Sequence, residues 1–200
     1  PAFSLDVKNA CALSPLVAPP FYMEMRHDIA SAMEDALMQF EETESEYAAL
    51  FNRRYGVIEE INCSDAEIVI VTSGTITSTA RLLIEELRSQ GEKIGVLKIK
   101  MFRPFPVEAV RRALALAPAK KVAVVDRNFS FGAGGIFAQE LKAALYNSSN
   151  HPSVFCYIAG LGGRDVTTAV LKDIYYRTKE SDVPPRENIW IGLQEVKNAT

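Results

Sequence analysis

The sequence predicts an α/β protein, a three-layer α/β/α sandwich around a parallel sheet covered by helices, and three observations predict it. Four apolar runs, Ile68 to Val71, Ile94 to Ile99, Val122 to Val125 and Val154 to Ile158, are rich in Val and Ile. Continuous β-branched hydrophobicity of this kind marks strands buried on both faces. Between the runs lie segments whose apolar residues recur at helical spacing. Strand starts recur roughly every 30 residues, the size of a strand–helix–strand unit.

The elements follow in order. Residues 1 to 21, with Pro1, Pro15, Pro19 and Pro20, read as an extended lead-in, since proline removes donors and biases its predecessor away from helix. Met23 to about Asn52 reads as a long amphipathic helix with Ile29, Met33, Leu37, Phe40, Tyr47 and Phe51 on one face. Part of that stripe is expected to pack on the following domain and part on other protein. The block Glu41, Glu42, Glu44 and Glu46 reads as a solvated face rather than an acidic binding site. Val57 to Ile61 is a short alternating strand candidate.

Four helices are expected after it. Ala80, Leu83 and Leu87 form the stripe of the first, stopped by Gly91. Val107, Val110 and Leu114 form the second, between Pro106 and Pro118. Phe137, Leu141 and Leu145 form the third. Val170 or Leu171 with Ile174 forms the fourth, which Asp165 is placed to cap. Asn188 to Leu193 is a candidate edge strand. The division expected is 1–54, lead-in and long helix, and 55–200, the α/β domain.

Composition narrows the function. The chain has 200 residues, 48% of them hydrophobic and 24% charged, with 22 basic against 25 acidic side chains and a net charge of −3. That balance lacks the basic field of a nucleic-acid binder, and no apolar run approaches the ~20 residues of a membrane span. No signal-like segment opens the chain. Three widely spaced cysteines, Cys11, Cys63 and Cys156, argue against a disulfide framework and for a reducing cytoplasm. With no C-x-x-C pair, neither an iron–sulfur cluster nor a structural zinc is expected in this segment. The first residue is Pro1 rather than Met, which suggests a piece of a longer subunit.

Catalytic constellations are poorly represented. His27 and His151 are the only histidines, with no ligand spacing to a cysteine. There is neither a G-x-S-x-G elbow nor a G-x-x-x-x-G-K-[ST] loop. The acidic pairs Asp65 with Glu67 and Glu59 with Glu60 read as exposed charges, and Cys156 as an inert core thiol.

Ligands and partners of open α/β sheets gather at the carboxyl ends of the parallel strands. Those ends carry Ser73-Gly74-Thr75, Phe102-Arg103-Pro104-Phe105-Pro106, Asp126-Arg127-Asn128 and Gly160-Leu161-Gly162-Gly163-Arg164-Asp165. In this register Arg103, Arg127 and Arg164 share one edge, either as an anion or interface site or as structural partners of a nearby acid, Asp126 or Asp165. The turn Ser73-Gly74-Thr75 either offers amides to an anion or is only a turn. Gly160, Gly162 and Gly163 begin a dinucleotide fingerprint that fails at Asp165. Phe131-Gly132-Ala133-Gly134-Gly135 is either a close-packing loop or a phosphate-approach loop.

Taken together, Ala66 to Gly74, Gly95 to Pro106 with its F-R-P-F-P turn, Val125-Asp126-Arg127 with Gly132 and Gly134-Gly135, and Gly160 to Thr167 with its G-L-G-G-R-D turn resemble the alpha subunit of pyruvate:ferredoxin oxidoreductase. The likeness runs from about residue 20 to the end and includes the Asn52-Arg53-Arg54-Tyr55-Gly56 entry. It implies a domain similar to the transketolase C-terminal domain, with a five-stranded sheet in which Val57 to Ile61 is the antiparallel strand. It implies an enzyme that uses thiamine diphosphate, magnesium and iron–sulfur clusters, decarboxylates a 2-oxoacid oxidatively, reduces ferredoxin and acylates coenzyme A.

No cofactor or cluster ligand of that enzyme maps onto a position here. The partners implied by the resemblance are the enzyme's other domains and subunits; a homodimer is an expectation from the long amphipathic helix, and composition speaks against nucleic acid and membrane as partners. The resemblance thus predicts a scaffold and interface domain, inactive alone. Two alternatives stand beside it: an autonomous anion- or nucleotide-binding module, and the C-terminal domain of a transketolase or 2-oxoacid dehydrogenase relative.

Overall fold

A computed structural model describes residues 6–10, 16–148 and 152–194. Pro1, Cys11, Pro15 and His151 lie outside the described residues. The long helix, α1, runs Pro19–Phe51, so it begins before the expected Met23. Pro19 and Pro20 form its first turn, where proline's fixed φ fits and its missing N–H is not needed. Asn52, at φ 53°, ends it in the left-handed conformation. None of its 33 residues is buried. The expectation that part of the stripe packs on the following domain is therefore met only at the last turns, by the Tyr47 ring against Tyr55.

The domain proper alternates strand and helix: β1 Ile58–Ile61, β2 Ile68–Ser73, α2 Ile76–Ser89, β3 Ile94–Ile99, α3 Val107–Leu116, β4 Lys121–Asp126, α4 Ile136–Leu145, β5 Ser153–Ile158, α5 Thr168–Glu180 and β6 Ile189–Trp190. A 3-10 turn, Leu161–Gly163, precedes α5. The strand order is β1-β3-β2-β4-β5-β6. β1 is antiparallel to β3, and every other pairing is parallel.

The sheet thus has six strands where five were expected. The sixth comes from the segment flagged as a candidate edge, through only two register pairs, Tyr157 with Ile189 and Ile158 with Trp190.

Alternation along each buried strand sorts the core into two layers. Val69 and Val71 of β2, with Leu97, Val122 and Val124, meet Val110 and Leu114 of α3 and Leu141 and Leu145 of α4. Ile68 and Ile70, with Val96, Val125, Phe155 and Tyr157, meet Leu83 and Leu87 of α2 and Leu171 and Ile174 of α5. Gly91, at φ +87°, closes α2 as expected: its amide donates to the Arg88 carbonyl and that of Glu92 to the Leu87 carbonyl. The cap of α5 differs from the expected Asp165. Thr167 occupies the N-cap, its Oγ1 accepting from the Val170 amide at 3.3 Å. Asp165 lies two residues before that N-cap.

Candidate functional site

Because β2, β3, β4 and β5 run parallel, their carboxyl ends and following loops form one rim of the sheet. The organiser of that rim is Asp126, the fully buried last residue of β4. Its Oδ1 accepts from the Phe137 amide at 3.0 Å and from Asn128 Nδ2 at 2.9 Å. Its Oδ2 accepts from the Ala138 amide at 3.0 Å. Asn128 Oδ1 accepts from the Ile136 amide at 2.7 Å. Two side chains of the β4 loop thereby cap α4, satisfying three of its open N–H groups. Burial pushes the Asp126 carboxyl up, while the three donors pull it back. A Cβ at Gly135 would fall inside this carboxylate and one at Gly134 would meet Asn188, whereas Gly132 faces open space, so close packing accounts for the last two glycines of the loop.

Arg127 ties three loops together. Its Nε donates to the Gly160 carbonyl at 3.4 Å and its Nη1 to Thr75 Oγ1 at 3.5 Å, linking the ends of β2, β4 and β5. Arg164 donates to the Gly192 carbonyl after β6. Arg103 turns away from both: its Nη2 donates to Glu140 on α4 at 2.5 Å. Its guanidinium also lies 4.1 Å from the centre of the Phe102 ring, which itself packs on Phe137 at 4.9 Å.

The acidic partners foreseen for the arginines are thus not the ones found. Asp126 is bonded to amides, and Arg103 finds Glu140. Among the described residues neither Arg127 nor Arg164 has a carboxylate within ion-pair distance. Ser73 ends β2, and Gly74, at φ +63°, turns the chain into Thr75, whose side chain caps nothing.

The rim also carries an aromatic group that sequence reasoning missed. Phe129 lies 5.9 Å from Phe131 and 4.7 Å from Trp190 between ring centroids. Phe131 is 94% exposed, and the exposed Leu161 and Leu193 line a hollow with Trp190. Two phenylalanines within the polar and glycine-rich Asn128 to Gly135 loop were the available signal.

The remaining candidates are structural. Glu59 pairs with Arg81 and Lys100, which hold its carboxyl low, Arg81 foremost. Asp65 pairs with Arg88 at 2.7 Å and Glu67 with Lys93 at 3.3 Å. Cys156 is buried in β5, and burial pushes the Cys63 thiol up to about 11. Among the described residues no group of three or more His, Cys, Asp or Glu side chains could hold a metal ion. The donors among the described residues therefore do not fit magnesium or a cluster. Among the described residues no helix is long and apolar enough to cross a membrane.

Fold and rim together define a class: a three-layer α/β/α domain whose loop-bearing edge displays arginines and aromatic rings and lacks a nucleophile–base or metal constellation among the described residues. Residues 66–171, more than half of the chain, match the pyruvate:ferredoxin oxidoreductase core domain II family model, and the chain belongs to that family.

The pyruvate synthase subunit PorA of Methanothermobacter thermautotrophicus is 40% identical over 98% of this chain and 49% of its own length. The ketoisovalerate oxidoreductase subunit VorA of Pyrococcus abyssi is 40% identical over 97% of this chain and 50% of its own. The chain thus spans about half the length of these relatives. Among solved structures, a 2-oxoglutarate:ferredoxin oxidoreductase from Magnetococcus marinus superposes with a TM-score of 0.46 at 20% identity, over 72% of this chain and 23% of that one.

Proposed function

We propose that this chain is the part of a 2-oxoacid:ferredoxin oxidoreductase subunit that orients neighbouring domains, with the reacting groups held elsewhere. In this reading the whole enzyme works in the cytoplasm with thiamine diphosphate, magnesium and iron–sulfur clusters. It decarboxylates a 2-oxoacid, pyruvate first among the candidates, passes the electrons to ferredoxin and the acyl group to coenzyme A. Residues 1–54 serve as an arm and 55–200 as the body. The observation that carries the reading is the 40% identity to a pyruvate synthase subunit over 98% of the chain.

A relative named for ketoisovalerate is equally identical, which supports placing the choice of 2-oxoacid outside this segment. The contribution of the rim is positional: fixing domains that must converge within a fraction of an ångström is itself a catalytic requirement.

The test is a hybrid enzyme in which this chain replaces the matching part of the Methanothermobacter subunit. The hybrid is expected to assemble and to reduce a viologen dye with pyruvate, while the chain alone gives no turnover with any 2-oxoacid. Turnover by the isolated chain overturns the reading.

A second reading, an anion-binding module, is favoured by Arg127 and Arg164, which lack acidic partners among the described residues. Calorimetric titration with coenzyme A, nucleotides and thiamine diphosphate discriminates. Tight one-to-one binding that is lost on Arg127→Ala supports the module.

A further inference from the structure

The margin of the sheet beyond β5 is only half closed. β5 pairs with β4 from Ser153 to Ile158, but with β6 only at Tyr157 and Ile158. The Ser153 amide donates to the Lys120 carbonyl and the Ala159 amide to the Asp126 carbonyl, so the odd-numbered residues turn their main chain toward β4. The even-numbered residues turn theirs outward, and the Ile158 carbonyl accepts from the Ile191 amide across the margin. Val154 and Cys156 face the same way. Among the described residues their amides have no acceptor on that side, and the Val154 carbonyl has only the Cys156 thiol, at 4.0 Å.

The chain's own approach to β6 does not fill this gap. Pro184 and Pro185 bring no N–H to a ladder, and pairing begins only at Ile189. Between this stretch and α4 a cavity of about 360 Å³ opens onto Val154, walled by Lys142, Leu145 and Tyr146 on one side and by Pro184 and Pro185 on the other. A narrower hollow of about 70 Å³, which shares Lys142 and Pro185 with it, continues to Cys156, Arg186 and Glu187. The two form a trench along an open strand edge.

Its lining selects an occupant. Leu145, Val154 and the prolines are apolar, and the Tyr146 side chain is exposed beside them. Among the described residues neither Lys142 nor Arg186 has a carboxylate within ion-pair distance. Glu187 is the acid that shares the trench with them. An unpaired strand edge is a template for another extended chain, and a surplus of basic groups suits a carboxylate on that chain. A second copy fits poorly: two such margins meeting about a two-fold axis would set Lys142 and Arg186 against their own equivalents.

We propose that the trench receives an extended segment of another subunit of the oxidoreductase. The segment adds a strand beside Val154, seats apolar side chains against Leu145, Tyr146 and the prolines, and turns a carboxylate to Lys142 and Arg186. The proposal rests on reading the chain as part of a subunit, and it places this contact at the amino end of β5, away from the rim.

Hydrogen exchange, read amide by amide on the intact chain and on the hybrid enzyme, tests it. In the free chain Phe155 and Tyr157, which face β4, are expected to exchange slowly, and Val154 and Cys156 fast. In the assembled hybrid the Val154 amide is expected to slow by about a hundredfold or more, because a main-chain bond must open before its proton exchanges. Lys142→Glu/Arg186→Glu, at exposed side chains, is expected to weaken the hold of the partner subunits on the chain by about tenfold or more, measured by mass photometry on dilution. Val154→Pro removes the outward donor without touching the β4 ladder and is expected to do the same, with melting of the free chain as the control for its fold.

A hybrid that assembles with the Val154 amide as fast as in the free chain overturns the proposal and leaves the proposed function standing. A free chain in which that amide is already slow also overturns it, since the edge is then closed from within or by a second copy. Assembly indifferent to the charge reversals has the same force. A hybrid that does not form with the unaltered chain overturns the functional reading, and the proposal with it.

Discussion

At the scale of the residue, the chemistry is that of a tightly satisfied scaffold. Among the described residues every buried side-chain nitrogen or oxygen has a partner, and Asp126 shows what such a partnership sustains. Asp126→Ala leaves buried amides of α4 without an acceptor and is expected to cost about 2–4 kcal/mol, read as a lowered urea midpoint. Gly135→Ala forces a methyl into the same carboxylate and is expected to destabilise comparably. A Gly135→Ala protein of wild-type stability would refute the close-packing account.

Cys63, buried with its thiol pushed up to about 11, is expected to resist alkylation at mildly alkaline pH in the folded chain and to react once the chain is unfolded. Peptide mapping after iodoacetamide treatment reports this. The role of Asp126 was not legible in the sequence. A cap conventionally sits next to its helix, and here the aspartate reaches amides 11 and 12 residues onward through the path of an intervening loop. The Arg103–Glu140 pair, 37 residues apart, was hidden for the same reason.

At the scale of the element, local pattern was decisive where one face or both faces of an element are buried. The β-branched runs located the four central strands, since burial on both faces leaves few polar positions to interrupt them, Lys98 of β3 being one. The stripes through Leu83 and Leu87, Val110 and Leu114, and Leu141 and Leu145 located three helices by the face each turns to the sheet. β6 had no such signature, because two residues are too few to show a period. The early start of α1 was obscured because Pro19 and Pro20 suit a first helical turn as well as an extended lead-in.

Two predictions belong here. Thr167→Ala removes the side-chain cap of α5 and is expected to cost about 1 kcal/mol, while Asp165→Ala, at a residue that caps nothing, is expected to be neutral in the same denaturation experiment. Removing α1 takes away no buried residue, so the remaining domain is expected to melt within a few degrees of the intact chain. A collapse in Tm would show that the arm is part of the body.

At the scale of the whole molecule, titration links stability to pH on both sides of neutrality. On the alkaline side burial raises Cys63 above its ordinary 9.0. Burial likewise raises Tyr157 and Tyr175 above 10.0, aided for Tyr175 by its bond to Glu92. A group raised on folding contributes stability in full below its unfolded value, and the contribution is lost as pH rises through the folded value. Unfolding free energy is therefore expected to hold up to about pH 9 and to fall beyond pH 10.

On the acid side Lys179, and after it Tyr175, hold Glu92 below 4.5. Its contribution is present above that value and is lost as pH falls through the lowered one. Chemical denaturation across the pH range reads both limbs. A flat alkaline limb would contradict the burial of the thiol and phenols.

The strand order carries a consequence for synthesis. Once β3 has settled between β1 and β2, each later strand joins an open margin, β4 on β2, β5 on β4 and β6 on β5. A ribosome can thus release the polypeptide into a sheet that widens in one direction, with nothing to be prised apart for a latecomer.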